Sequence, residues 1–189
     1  MKSAIRRLAF AALAVAMSHL PIPSHAELID NGNGLIYDTV LDITWAQVDP
    51  SPQMSWDEAN TWAAGLMLGG VSGWRLPYIS VAAGAGPFSG TPVDCELATE
   101  PECRDNELGY MFYWNFGSDF GQPVPPNGDP AVLALFPGLY TFTIFWTGTE
   151  YDQFEAWYFS FANGYQGTDG VESYGVWAVH DGNVSAEIF

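Results

Sequence analysis

Gly69-Gly70-Val71-Ser72-Gly73-Trp74-Arg75-Leu76-Pro77 is the stretch on which the fold turns. A helix-like run from Ser55 to Leu68 stops on two glycines and passes directly into Trp-Arg-Leu-Pro. The chain has five Lys and Arg against 22 Asp and Glu, and Lys2, Arg6 and Arg7 fall in its first segment. Only Arg75 and Arg104 remain beyond it. A scarce cation set between a tryptophan and a leucine predicts a structural arginine, paired internally with a carboxylate. Trp74 beside it reads as core.

Residues 1–26 have the layout of a secretory signal peptide. They contain a basic start, an apolar run from Leu8 to Met17 too short to span a bilayer, and a small-x-small site at Ser24-His25-Ala26. The expected mature chain, 27–189, has a length that suits one domain. No apolar tail follows Ser185, so no membrane insertion is expected. Two arginines against 22 acids leave the mature chain at −20. That balance excludes nucleic acid, anionic lipid and sulphated glycans as partners, because each needs Lys or Arg to displace counterions. It does not imply disorder: 48% hydrophobic and 15% aromatic residues are ample for a core.

Outward from the glycines, Ser55-Trp56-Asp57-Glu58 is a capping box, and Ala59, Trp62, Ala63 and Leu66 recur on one helical face. Upstream, the turn cluster Asp30 to Gly34 precedes two short strands, 35–38 and 43–47, which form a hairpin. Downstream, residues 78–104 are irregular. Asn106 to Phe116 is a second helix with Leu108, Met111 and Phe112 facing inward and Gly117 at its end. Strands are predicted over 140–147, 156–161 and 175–180. Strands, then helices, then strands make the class α+β, with small antiparallel sheets and two helices.

Cys95 and Cys103 are the only cysteines. An even count in an exported chain predicts a disulfide, worth roughly 2–3 kcal/mol for so short a loop. Asp94, Glu96, Glu102 and Asp105 surround it and are the candidate ligands for Ca²⁺, a cation that takes six to eight oxygens. The competing reading is solvated charge, since no EF-hand spacing is present.

Several motifs in order resemble the Lcl C-terminal domain family. They are Gly34-Leu35-Ile36-Tyr37-Asp38 with Leu41-Asp42-Ile43-Thr44-Trp45, Trp56-Asp57-Glu58-Ala59, and the Gly-Gly…Trp-Arg-Leu-Pro stretch. Asn106 to Tyr113, Phe145-Trp146-Thr147-Gly148-Thr149-Glu150-Tyr151 and Ala156-Trp157-Tyr158-Phe159 complete the series, which covers most of the mature chain. The resemblance implies a C-type-lectin-like fold and an exported bacterial protein, secreted or periplasmic. A well-known protein of the family that this chain resembles is the end domain of a collagen-like adhesin, which trimerises and binds glycosaminoglycans. This chain departs from that protein in having no Gly-x-y tract and a charge unsuited to a sulphated polymer.

The expected function is therefore non-catalytic binding of an extracellular glycan or cell-envelope ligand. Trp146, Glu150, Tyr151, Trp157 and Tyr158 are the candidate contacts, because flat aromatic faces suit sugar rings. The loops between 78 and 130 are a second place to look. The alternative is a structural or protein-interaction module of the bacterial surface. A third reading is a glycoside hydrolase using paired carboxylates. A nucleophilic triad is disfavoured, since His180 is the only histidine beyond residue 26.

Overall fold

A computed structural model describes residues 28–47, 53–79, 95, 99–139 and 143–186. The expected signal peptide lies outside these residues. The chain is α+β, as its pattern of elements predicts, with two small antiparallel sheets and short helices.

The N-terminal hairpin forms as read, from β2 (Leu35–Asp38) and β3 (Ile43–Ala46), with Ile36 opposite Trp45. Its turn is held by Asp38, whose Oδ1 accepts from the amides of Val40 and Leu41 at 2.9 and 3.0 Å. A strand not anticipated, β1 (Leu28–Asp30), extends the hairpin on one side. On the other side β7 (Val179–Asp181) pairs with β3, which gives the order β1-β2-β3-β7. The second sheet is β4 (Ile144–Glu150), β5 (Ala156–Ser160) and β6 (Tyr165–Asp169), in that order.

Helix α1 (Trp56–Gly65) starts at the expected capping box, where the Glu58 carboxylate accepts from the Ser55 amide at 3.0 Å and hydroxyl at 2.8 Å. It ends earlier than its apolar periodicity suggests. Leu68 leaves the helix and pairs with Val71, so Gly69 and Gly70 form the turn of a small bridge rather than a helix stop. Both have positive φ, +60° and +83°, which a residue bearing a side chain adopts at a cost.

After α2 (Glu100–Cys103), helix α3 (Glu107–Tyr110) is capped by Asn106, whose Oδ1 accepts from the Gly109 amide at 2.9 Å. It continues into a π-helical turn over Met111–Asn115. The predicted inward residues Leu108, Met111 and Phe112 are fully buried. A further short helix, α4 (Pro130–Leu135), follows.

The core between the sheets is largely aromatic. Trp45 and Trp177 approach to 4.8 Å between ring centres, and Phe112, Phe145, Phe159 and Phe161 pack around them in mostly edge-on or tilted pairs. Such geometry suits ring quadrupoles.

The glycine-to-proline stretch stitches the two sheets together. Trp74 is buried against Leu35, Ala46 and Ala178, and its indole N–H donates to the Val71 carbonyl at 2.9 Å. Arg75 exchanges both backbone hydrogen bonds with Val179, at 2.9 and 2.8 Å. Leu76 packs under α1 with Trp146, and the Pro77 carbonyl accepts from Gly148 of β4 at 2.8 Å. One extended segment thus touches the first sheet at β7 and the second at β4.

Cys95 and Cys103 form the predicted disulfide, with 5.1 Å between their Cα atoms. A disulfide fits a non-reducing compartment, extracellular or periplasmic. Among the described residues no helix is long and apolar enough to cross a membrane.

Candidate functional site

Arg75 is the internal anchor that its scarcity predicts. Its guanidinium grips Glu107 in a two-pronged pair, both contacts at 2.8 Å, and reaches Asp181 at 2.6 and 3.0 Å. It also donates to the Leu76 carbonyl at 3.1 Å, and the Tyr78 ring lies over it at 4.3 Å. Glu107 is further fixed by the Tyr78 amide at 2.7 Å. Burial works against the arginine charge. The hydrogen bonds and charges of Glu107 and Asp181 outweigh it, so the net shift of the Arg75 pKa is upward. The guanidinium thus ties the start of α3, through Glu107, to β7, through Asp181.

The five expected ligand contacts separate into two groups. Trp146 and Trp157 expose only 1% of their surface and offer no face to a ligand. Trp146 is tied through its indole N–H to the Met54 carbonyl at 2.9 Å, and Trp157 packs on Ile79. The reason is that β4 and β5 are covered on both faces, so simple alternation does not send a residue to solvent. Tyr158 is half-buried and tilted against Tyr174, 5.0 Å between centres. Glu150 and Tyr151 are exposed, at the end of β4.

Of the candidate calcium ligands, Asp94, Glu96 and the side chain of Glu102 lie outside what the structure describes, as does the loop 80–94. Asp105 is exposed after α2. Among the described residues no three His, Cys, Asp or Glu side chains are gathered as a metal would require.

Two recesses lie at the start of α1 and share Asp57. The larger, about 560 Å³, is lined by Gln53, Met54, Asp57, Glu58, Thr61 and Trp62. Trp62 is half-buried, with its inner side packed against the clusters around Trp146 and Trp74. The smaller, about 210 Å³, lies between Ser55-Trp56-Asp57 and the β4–β5 turn, with Asp169 and Gly170 closing it. Five carboxylates line this cleft: Asp57, Glu150, Asp152, Glu155 and Asp169.

Three of the five have structural partners. Asp152 accepts from the Phe154 and Glu155 amides at 2.8 and 3.0 Å, and Glu155 from the Thr168 hydroxyl at 2.6 Å. Asp169 accepts from the amides of Val171 and Glu172 and from the Tyr174 hydroxyl at 3.1 Å. Burial opposes its ionisation, but these donors prevail and hold its pKa below the usual carboxylate range. The same charge, added to burial, raises the Tyr174 phenol. The Asp57 and Glu150 side chains have no polar partner among the described residues. No Lys, Arg or His lines either recess.

The arrangement can accept hydrogen bonds from hydroxyl or ammonium groups and present the Trp62 ring beside them. His180 sits in β7 at a steep angle to the Trp74 ring and lines neither recess. Asp57, Trp62 and Phe154 were not legible as site residues, because the segments meet only through the tertiary fold. Comparison with protein-family models, with curated proteins and with solved structures returned no match.

Proposed function

We infer that this chain is an exported, non-catalytic binding domain of the Lcl C-terminal kind, with a C-type-lectin-like arrangement, and that its ligand is a neutral extracellular or cell-envelope glycan. The observation that carries the reading is the groove of about 560 Å³ in which Trp62 stands beside Gln53, Asp57 and Thr61. A flat aromatic flanked by short polar side chains matches a sugar ring, which has an apolar face and a rim of hydroxyls. Asp57 is an acceptor without a competing partner among the described residues. The motif series along the chain and the two small antiparallel sheets are consistent with the fold the reading needs.

Titration of neutral oligosaccharides by calorimetry, with and without chelator, tests this reading. Trp62→Ala and Asp57→Ala should each weaken binding about tenfold or more, equivalent to about 1.4 kcal/mol. Loss on chelation would add calcium to the site. Binding that ignores both substitutions, or no binding to any neutral glycan, overturns the reading.

A further inference from the structure

We propose that the tip of the β4–β5 hairpin, with the loop after β6, is a docking surface for a cationic, amphipathic segment of a partner protein. Phe154 is 73% exposed, Val171 90% and Tyr151 40%. The three lie on two loops that are physically one surface. A Cβ on Gly170 would collide with the Phe154 carbonyl oxygen, so the loops touch backbone to backbone. Phe154 joins none of the buried clusters, yet its position is held. The Tyr151 and Asp152 amides both donate to the Glu155 carbonyl, and Asp152 caps the turn through the Phe154 and Glu155 amides. Tyr151 is braced edge-on by the buried Trp157 at 5.8 Å. An apolar side chain displayed on a rigid turn needs little ordering on contact, which favours binding.

Charge selects the occupant. Glu150, Asp152, Glu155, Asp169 and Glu172 surround the apolar residues, and Asp57 faces them across the cleft of about 210 Å³. Beyond residue 26 the chain has only two basic side chains other than histidine, and Arg75 is committed to Glu107 and Asp181. Arg104 also has a partner. A second copy would bring the same acids to the same place and be repelled. The complementary surface is one that presents Lys or Arg next to apolar side chains, with one long basic side chain entering the cleft beside Asp57 and Glu150.

The probe is a short peptide of alternating arginine and leucine, followed by fluorescence anisotropy at about 0.15 M salt, where contacts beyond roughly 8 Å are screened. An oligoarginine of equal charge is the control. The parent should bind the amphipathic peptide at least tenfold more tightly than the oligoarginine. Phe154→Ser with Val171→Ser should erase that preference, and Glu150→Gln should weaken both probes while the melting temperature stays unchanged. Equal binding of the two probes by the parent, or a serine variant that binds like the parent, overturns the proposal. Trp62→Ala leaves this peptide bound, so the glycan reading and this one fail separately.

Discussion

Arg75→Ala is the sharpest test of how the molecule is held together. The substitution removes two contacts of 2.8 Å to Glu107, two to Asp181 and the ring contact with Tyr78. Glu107 then keeps one donor, the Tyr78 amide, at a site where its side chain is 11% exposed. Breaking a buried pair on one side costs about 3–5 kcal/mol. The Arg75 side chain is 20% exposed and water can reach the gap, so the lower end applies, about 3 kcal/mol. The Asp181 contact adds little, since that side chain is 76% exposed. For a domain of this size the loss corresponds to a fall in Tm of roughly 6–12 °C. Urea unfolding of Arg75→Ala, Glu107→Gln and the double variant completes a thermodynamic cycle. The double variant should be more stable than the two single losses added together, because it leaves no unpaired buried charge. A single variant losing under about 1 kcal/mol, or a coupling energy near zero, refutes the clamp.

Asp38 makes the second prediction. It is fully buried, and burial raises its pKa against the opposing hydrogen bonds from the Leu41 amide, Asn115 and the Val40 amide. The Trp45 indole N–H lies beside it, outside hydrogen-bonding geometry. A raised folded-state value means its stabilising contribution is complete at low pH and is lost as pH rises through that value. Asp38→Asn should therefore gain stability relative to the parent as pH rises from about 3 to 7. Asn115 can turn its amide to meet the new side chain, since its Oδ1 has no partner. A pH-independent difference refutes the assignment. Asp169 has the opposite sign: its contribution is present above the unfolded pKa and lost on acidification. Tyr174→Phe should therefore move the Asp169 titration, followed by NMR, upward. Gly109→Ala should destabilise by about 1–3 kcal/mol, because the added Cβ would sit 2.7 Å from Cys95 Sγ and 2.8 Å from Asn106. Slower recovery of the disulfide after reduction and refolding is its second readout.

The local elements were readable and the long-range ones were not. The 35–46 hairpin, the Ser55 cap and the Asn106 helix depend on neighbours within a few positions. Helix α1 is shorter than its pattern because Leu66 keeps the period of Ala59, Trp62 and Ala63, whereas Leu68 falls off that face and pairs with Val71 in a bridge. Strand β6 carries no strand signal, because Gln166, Gly167 and Thr168 resemble a turn. Gly167 is there for a packing reason: the Tyr158 hydroxyl occupies the space of its side chain. Trp146 and Trp157 could not be placed because alternation distinguishes faces only when one of them meets water. The recesses draw on residues near 55, 150 and 170 together, a juxtaposition that no local pattern encodes.

The stitch between the sheets also sets the order of events in folding. Thr44 pairs with His180 in the first sheet, and Arg75 meets Val179 and Asp181, so the clamp joins positions more than a hundred residues apart. Contacts of such sequence separation form late and slow the search. A ribosome-bound or half-threaded chain that has not yet released Trp177 to Asp181 lacks both the centre of the aromatic core and the partner strand for β3. It should therefore be protease-sensitive throughout, and should gain protection in a single step once those last residues are free.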